Sequence, residues 1–263
     1  MNVKNKTVLI TGASSGIGKE FATQLASKGA NLVITARSED DLNKLASQLE
    51  QEYSDIWVKV IPLDLLKSNS PQTLFSTIQA MNISVDYLIN NAGFGQFCEF
   101  TDESFVRYQQ MITLNINALV ELSHLFLPEM KKKNTGGIIN VASIASFQPL
   151  PYQAVYGASK AFVLSFSEAL SGELLESNVH VMALCPGMTE SNFMDNANAD
   201  TSSMKFSSAH DVVKTALDAF GKKRIFIVAG LVNYLTSLVP RLVSRQRTVK
   251  IVVNMLKNTV KTN

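Results

Sequence analysis

Residues Thr7–Gly18 read TVLITGASSGIG and contain, in immediate succession, the three elements that begin an α/β sheet. Thr7–Thr11 is aliphatic and β-branched, which predicts a buried strand. A turn with three glycines follows directly. After it, apolar side chains recur at helical spacing, at Ile17, Phe21 and Leu25. The order of strand, glycine-rich turn and helix predicts a parallel sheet whose first strand ends at this turn.

The glycine-rich turn favours the binding of a phosphate group. Glycines remove the side chains that would keep a pyrophosphate off the backbone, and the following helix offers free N–H groups and a positive dipole end. The spacing is GxxxGxG, and a turn of this kind also occurs for purely steric reasons. The residues expected to contact a cofactor here are Gly12, Ser14, Ser15, Gly16, Ile17 and Gly18.

The rest of the chain alternates short β-rich runs with longer helical patterns. This alternation predicts one domain with a doubly wound parallel sheet of seven strands and helices on both faces. The predicted strands are Thr7–Thr11, Asn31–Ala36, Trp57–Leu63, Val85–Asn90, Gly137–Ala142, His180–Leu184 and Arg224–Val228. The predicted helices that follow the first one are Asp40–Tyr53, about Asp102–Lys133, Val155–Ser177 and Ser208–Gly221.

Composition limits the size of the fold and the chemistry it can support. The chain has 263 residues, 46% of them hydrophobic, which suits one domain with a substantial core. Its two cysteines and three histidines form no cluster with metal-ligand spacing, so we expect no disulfide framework and no metal site. The apolar run near the N-terminus is too short for a signal peptide, and we expect a cytoplasmic protein.

The end of the second predicted strand indicates which dinucleotide would bind. An enzyme that uses NAD usually has Asp or Glu there, to hold the ribose hydroxyls. This chain has Ala36 and Arg37 instead. A guanidinium can hold a 2′-phosphate by charge-assisted hydrogen bonds, whereas a carboxylate would repel it. Arg37 therefore favours NADP(H), the alternative being an ordinary surface charge.

A tyrosine and a lysine lie four residues apart in YGASK, Tyr156–Lys160, near the start of a predicted helix. This spacing puts both side chains on one helix face. A phenol has a pKa of about 10 and needs a nearby cation to stabilise its phenolate at neutral pH. Lys160 can supply that cation from one turn away. The YxxxK spacing is common by chance, so its meaning depends on the other motifs.

Several motifs in a fixed order resemble the short-chain dehydrogenase/reductase family, in its compact branch. As a set they are specific, and they extend from Thr7 to Ser191. In chain order they are TGASSGIG at Thr11–Gly18, Asp64 after the third strand, NNAG at Asn90–Gly93, Asn115 in LNINA, Ser143 in VAS, YGASK at Tyr156–Lys160, and Pro186-Gly187. The resemblance implies a Rossmann-type fold and an oxidoreductase.

The resemblance also implies a catalytic tetrad of Asn115, Ser143, Tyr156 and Lys160. Ser143 and Tyr156 would hydrogen-bond a substrate carbonyl, and Tyr156 would protonate its oxygen as NADPH delivers hydride to the carbon. Lys160 would hold the nicotinamide ribose and lower the pKa of Tyr156, while Asn115 would anchor a water that passes protons to Lys160. A carbonyl that becomes an alkoxide does need preplaced donors and one acid.

Further cofactor contacts follow from the same resemblance. Asp64 and Leu65 would face the adenine, and Asn91, Ala92 and Gly93 the adenosine ribose.

One motif departs from the family pattern PGxxxT, whose threonine holds the nicotinamide carboxamide. After Pro186 and Gly187, Ser191 stands in the place of that threonine, and Thr189 precedes it by two residues. Either hydroxyl could hold the carboxamide.

These features predict that the protein reduces a carbonyl compound to an alcohol with NADPH. The alternatives are NADP-dependent oxidation of an alcohol and a non-catalytic dinucleotide sensor, which would be expected to lack the tyrosine or the lysine. The segments expected at the substrate contain hardly any basic residue, which favours an apolar or neutral ketone or aldehyde. Their apolar residues are Phe94, Phe97, Phe147, Tyr152, Phe193 and Met194. The polar stretch Asn192–Ser208 is expected to be a mobile lid.

The C-terminal part of the chain has a different charge from the rest. With 15 basic and 22 acidic residues, residues 1–218 carry a net charge of −7, whereas residues 219–263 hold nine Lys and Arg and no acid. We expect residues 1–230 to form the dinucleotide-binding catalytic domain and residues 231–263 a basic, amphipathic helical tail.

Two apolar stripes, separated at Pro240, predict two helices in this tail. We expect the stripes to be buried against the domain or a second copy in a homo-oligomer, and peripheral contact with an anionic membrane is the alternative. The tail has few aromatic residues between its basic ones, so we expect no binding of nucleic acid.

Overall fold

The computed structural model describes residues 1–190 and 206–257. Its seven strands form one parallel sheet in the order β3-β2-β1-β4-β5-β6-β7. The strands are β1 (Thr7–Thr11), β2 (Asn31–Ala36), β3 (Val58–Pro62), β4 (Tyr87–Asn90), β5 (Gly137–Val141), β6 (His180–Cys185) and β7 (Phe226–Val228). The predicted fold class is confirmed, and every observed strand end lies within two residues of the predicted one.

Helices cover both faces of the sheet. They are α1 (Gly16–Ala26), α2 (Glu39–Glu52), α3 (Ser70–Ala80), α4 (Phe105–Ile112), α5 (Ala118–Lys133), α6 (Ala154–Glu173), α7 (Ala209–Gly221), α8 (Leu231–Leu242) and α9 (Arg245–Leu256). Along β1, Val8 and Ile10 pack against α1, α2 and α7, whereas Leu9 packs in the layer of α3 and α5. Both faces of the strands are therefore buried, as in other parallel sheets.

Helix α3 was not among the predicted elements. It starts after Asn69, whose φ of 58° is left-handed, and it carries Pro71 in its first turn. Leu74 and Ile78, one turn apart, are its fully buried apolar residues. A proline followed by this spacing is a helix signal, but the segment is short and otherwise polar.

The helix predicted over about Asp102–Lys133 is interrupted. Between α4 and α5, the residues Thr113–Asn117 form a π-helical turn. The run from α4 to the end of α5 is long and apolar enough to cross a membrane by length and composition alone. However, Leu122, Phe126 and Met130 on α5 are buried in the core, so α5 is a core helix of the sheet.

The tail forms two helices, but its break is not at Pro240. That proline lies in the last turn of α8, and the chain leaves the helix at Val243 before Ser244 caps α9. A proline near a helix end loses only one hydrogen bond, so the helix continues past it. On the single chain Leu231 is 74% and Leu242 86% exposed, so the domain does not cover these two residues, and burial of the stripes against a second copy stays a prediction. The division of the chain at residue 230 stays a prediction.

The direction in which strands are added to the sheet reverses between β1 and β4, and loops at their carboxyl ends separate there to form a crevice. The turn after β1 enters this crevice with Gly12 at a left-handed φ of 66°. Helix α1 starts so close to the turn that a Cβ on Gly18 would lie 2.2 Å from the carbonyl oxygen of Gly12. Only glycine at position 18 allows this approach.

Replacing Gly18 by alanine should therefore destabilise the fold. We expect Gly18→Ala to lower the free energy of unfolding by at least about 1–3 kcal/mol, the usual cost of overpacking. Denaturant unfolding followed by circular dichroism measures the change.

A matched control is Gly172→Ala in α6, where among the described residues no heavy atom comes within 4 Å of the added Cβ. Alanine should stabilise that helical position by about 0.5–1 kcal/mol. If both variants shifted stability alike, the close approach at Gly18 would not be the reason for its glycine.

Candidate active site

A continuous cavity of about 1530 Å³ runs along the carboxyl ends of the strands. This exceeds the roughly 300–1,000 Å³ of a pocket for one small ligand. The predicted site residues that line it are Gly12, Ser14, Ser15, Gly16, Ile17, Arg37, Asp64, Leu65, Asn91, Ala92, Gly93, Ser143, Tyr156, Lys160, Pro186, Gly187 and Thr189. Gly18 and Asn115 lie behind the cavity wall, and Ser191 lies outside the described residues.

The glycine-rich turn is held by the loop after β4. The Asn91 side chain donates hydrogen bonds to the carbonyls of Thr11 at 2.9 Å and Gly12 at 3.1 Å. In return, the Thr11 hydroxyl accepts from the backbone N–H groups of Asn91 and Ala92, both at 3.0 Å. A Cβ on Gly12 would meet these same residues at 2.9–3.0 Å. The turn therefore presents backbone without side chains at the N-terminus of α1, and these hydrogen bonds hold it in place. Such a turn fits the binding of a pyrophosphate.

Charged side chains of both signs line the cavity beside this turn. Arg37 follows β2, and Lys19 on the first turn of α1 lines the same opening. Asp41 also lines it, but its carboxylate accepts a hydrogen bond from the Ser38 hydroxyl at 2.7 Å. Asp64 lines the same end and accepts from the backbone N–H of Leu66 at 3.0 Å, so the two cations lie beside two carboxylates that are already hydrogen-bonded. Lys19 was missed by sequence reasoning, although its place one residue after the last glycine is a usable signal.

Ser143 and Tyr156 meet at the centre of the cavity. Burial raises the pKa of Tyr156 to about 12, while a hydrogen bond to the Ser143 side chain lowers it. The tyrosine is therefore a neutral phenol at neutral pH and holds a proton that it can donate. Ser143 is positioned by its own hydroxyl, which accepts from the backbone N–H of Ala145 at 3.1 Å.

Lys160 lies beneath the tyrosine, with its Nζ 5.8 Å from the centre of the Tyr156 ring. The ammonium donates to the carbonyl of Val141 at 2.8 Å, and burial lowers its pKa to about 8. It is mostly charged at neutral pH. The expected lowering of the Tyr156 pKa by Lys160 is not seen in the protein alone, because burial of the phenol is the larger effect.

Asn115 occupies the π-helical turn and is almost completely buried. Its amide donates to the carbonyl of Phe94 at 2.9 Å and to the Ser159 hydroxyl at 3.1 Å, and its oxygen accepts from the N–H of Phe94 at 3.1 Å. These contacts fix the loop after β4 against α6. The π turn accounts for the interrupted helix, and such turns often occur at functional sites. The water-anchoring role of Asn115 stays a prediction.

Comparison with known proteins identifies the family. Residues 6–202 match the short chain dehydrogenase family. This chain is a short-chain dehydrogenase/reductase. It is thus an oxidoreductase, and the resemblance found in its motifs is confirmed.

Three relatives illustrate the similarity. An uncharacterised oxidoreductase of Staphylococcus epidermidis is 35% identical over 189 residues, which span 72% of this chain and 80% of the relative. A very-long-chain 3-oxoacyl-CoA reductase of Meyerozyma guilliermondii is 40% identical over 192 residues, spanning 68% of this chain and 54% of the relative. A short-chain dehydrogenase of Sphingobium yanoikuyae, solved in complex with NADPH, has a TM-score of 0.81 and 30% identity, covering 98% of this chain and 97% of that one.

A buried network of polar residues supports the candidate active site from inside the sheet. Asn90 at the end of β4 donates to Asn140 on β5 at 2.9 Å and to Ser123 on α5 at 3.1 Å. Asn140 in turn donates to Ser167 on α6 at 3.0 Å. Both strands are thereby tied to the helices just below Asn91 and Ser143. These four residues were not predicted from the sequence, because they lie far apart in it and the two asparagines are isolated polar residues within otherwise apolar strands.

The substrate end of the cavity has an apolar wall. Of the six residues expected there, Phe94 and Phe97 line it, Phe147 packs against Phe226 instead, and Tyr152 borders a small neighbouring pocket. Phe193, Met194 and most of the expected lid lie outside the described residues. The rest of the apolar wall comes from the loop before α6 and from the tail, and includes Leu150, Val239, Ile251, Val252, Met255 and Leu256.

One basic residue from outside the segments expected at the substrate lies at this end of the cavity. Arg107 on α4 lines the cavity, with its guanidinium 4.0 Å from the centre of the Phe94 ring. The substrate contacts predicted from the sequence lie in loops, whereas Arg107 belongs to α4 and lines the cavity from that helix. The cation lies on the aromatic face, where the ring partly offsets its charge.

Proposed function

We propose that this enzyme reduces the carbonyl group of an apolar ketone or aldehyde, with NADPH as the hydride donor and Tyr156 as the proton donor. The observation that carries the proposal is the neutral phenol of Tyr156, hydrogen-bonded to Ser143, at the junction of two halves of the cavity. One half is lined by the glycine-rich turn, and the other half is lined by the apolar wall at the substrate end. A nicotinamide cofactor in the first half and a carbonyl in the second would meet at these two hydroxyls.

The fit of a dinucleotide rests on this chain's own backbone. The bare turn at Gly12, with its left-handed φ, has room for a pyrophosphate only because it carries no side chain. Arg37 and Lys19 at the adjoining opening would hold a 2′-phosphate through charge-assisted hydrogen bonds. A related enzyme of Sphingobium yanoikuyae was solved with NADPH, which supports the same preference here.

The chemical step uses two hydroxyls and one ammonium. Ser143 and Tyr156 would donate hydrogen bonds to the substrate oxygen and stabilise the charge that develops on it. When bound, the reduced dinucleotide supplies the hydride for the carbonyl carbon. As the C–H bond forms, the C=O electron pair moves to oxygen, and that oxygen takes the proton of Tyr156. The ammonium of Lys160 would then stabilise the phenolate left behind.

The direction follows from the protonation state of Tyr156. Reduction needs the phenol, which is the stable form at neutral pH because its pKa is about 12. Oxidation of an alcohol would need the phenolate as a base, and burial disfavours that form. Reduction is thus the proposed direction.

The substrate class follows from the lining of the second half. Phenylalanine, leucine, valine, isoleucine and methionine side chains would hold an aliphatic or aromatic body, and the carbonyl would project toward Ser143 and Tyr156. The related reductase of Meyerozyma guilliermondii acts on a very-long-chain 3-oxoacyl thioester, which is consistent with an apolar substrate here.

Tyr156→Phe should abolish turnover while leaving NADPH affinity nearly unchanged, because only the transferable proton is lost. We expect a rate loss of at least about 100-fold. NADPH consumption over a panel of ketones, aldehydes, quinones and 3-oxoacyl thioesters first identifies a working substrate, and fluorescence titration measures cofactor binding.

The matched control is Tyr87→Phe, whose hydroxyl donates to the carbonyl of Asn2 at the far end of the sheet. It should keep the wild-type rate. Near-normal turnover of Tyr156→Phe would show that another group donates the proton.

Arg37→Asp should reverse the cofactor preference, because it removes one phosphate contact and adds a repelling charge. A charge-assisted hydrogen bond contributes about 1.5–3 kcal/mol, so NADPH affinity should fall roughly 10- to 100-fold. NADH affinity should not fall. Arg224→Asp, an exposed arginine outside the cavity lining, is the control. Wild-type protein that binds both cofactors equally would contradict the role given to Arg37.

The rate of reduction should be constant from weakly acidic to neutral pH and then decrease as the pH rises through about 8, where Lys160 loses its proton. Tyr156 stays protonated until about 12, so it does not cause this decrease. In Lys160→Arg the guanidinium keeps its charge, and any remaining activity should decline only at higher pH. A wild-type profile that stays flat while Lys160 titrates would mean that its charge is not needed.

A further inference from the structure

The hairpin of helices α8 and α9 has two different sides. Its inner side closes the substrate end of the cavity with Val252 and Met255, and Val239 borders the cavity from the same face of α8 as Leu235 and Leu242. Its outer side carries large apolar residues that are exposed on the single chain. The catalytic proposal accounts for the inner side only.

On α8 the exposed apolar residues lie opposite the side that contacts the domain. Asn233 packs against Gly187 and Ser237 is buried, so these two define the domain side. Leu231, Leu235 and Leu242 lie about half a turn away around the helix. They are 74%, 56% and 86% exposed, and all three lie outside the cavity lining.

On α9 the side opposite the cavity is basic. Thr248, Val252 and Met255 face the cavity, and the helical spacing puts Lys250 and Lys257 on the opposite side, where both are exposed. Three exposed arginines lie at the turn between the helices or beside it: Arg241, Arg245 and Arg247. The whole segment 219–263 contains no acidic residue to neutralise them.

We propose that α8 and α9 dock on the surface of an anionic phospholipid membrane, with the leucines of α8 among the acyl chains and the basic residues at the headgroups. Such a membrane offers both an apolar layer and a negative surface, which are the two properties that match this hairpin. A second copy packed through the same patch would bring two strongly basic surfaces together, and like charges oppose that contact. Docking also brings the apolar wall of the cavity next to the lipid.

Cosedimentation of the full-length protein with vesicles tests the proposal. The vesicles contain phosphatidylcholine alone or phosphatidylcholine with about one third phosphatidylglycerol. We expect binding to the anionic vesicles, weakened by salt because the charges are screened, and little binding to the neutral ones. The triple variant Leu231→Ser, Leu235→Ser, Leu242→Ser should bind at least about 10-fold more weakly. Replacing Lys250 and Lys257 by glutamine should weaken binding about 5-fold for each charge.

Matched controls separate this surface from the rest of the molecule. Leu175→Ser removes a leucine that is 79% exposed outside the hairpin, and Lys44→Gln removes an exposed charge from α2. Both should bind like the wild type, and circular dichroism should show that every variant is folded.

Three results would overturn the proposal: equal binding to both kinds of vesicle, no binding to either, or a triple serine variant that binds anionic vesicles as well as the wild type. A dimer that forms without lipid and dissociates in the triple variant, together with no vesicle binding, would identify the patch as a contact between copies. None of these measurements depends on turnover, so a failure of the catalytic proposal would leave this result standing.

Discussion

Four hydrogen bonds between the turn after β1 and the loop after β4 control the geometry of the active site. Two of them join Thr11 and Asn91, one joins the Asn91 side chain to the carbonyl of Gly12, and one joins the N–H of Ala92 to the Thr11 hydroxyl. They cross the crevice at the point where the order of the strands reverses, so neither loop can move without the other. The loop after β4 is in turn fixed by Asn115, and the strands beneath it by the chain from Asn90 to Ser167. The links from Asn90 to Ser167 are buried and the others are partly buried, so breaking one would leave a polar group without its partner and away from bulk water.

Burial acts in opposite directions on the two titrating groups of the site. It raises the pKa of Tyr156 to about 12 and lowers that of Lys160 to about 8. Desolvation disfavours the charged form in both cases, so a phenol keeps its proton and an ammonium is ready to lose one. The spacing of Tyr156 and Lys160 in the sequence, together with the family resemblance, suggested that the lysine would lower the pKa of the tyrosine. A helix face fixes which groups are neighbours, but the depth at which they are buried decides their charge.

The sequence predicted the strands well because each parallel strand is largely apolar and its pattern needs no information from distant residues. It predicted the residues around the cavity because the family motifs lie in the loops that follow those strands. Two of the missed features depend on contacts between distant residues. The π turn at Asn115 is held by Phe94 and Ser159, and Arg107 reaches the cavity only because α4 lies across its end. Helix α3 is packed by only two fully buried apolar residues, so its pattern was too weak to predict.

The tail shows why an amphipathic pattern does not by itself tell which surface is buried. Its apolar residues suggested one buried stripe on each helix, but α8 presents Val239 to the cavity and Leu231 and Leu242 to the outside. The side of α8 that packs on the domain instead carries Asn233 and Ser237, whose small polar side chains allow close approach. A helix that contacts the domain through polar residues while exposing leucine is costly for a protein surrounded only by water. The same arrangement is favourable where the exposed side meets lipid and the basic residues beside it meet charged headgroups.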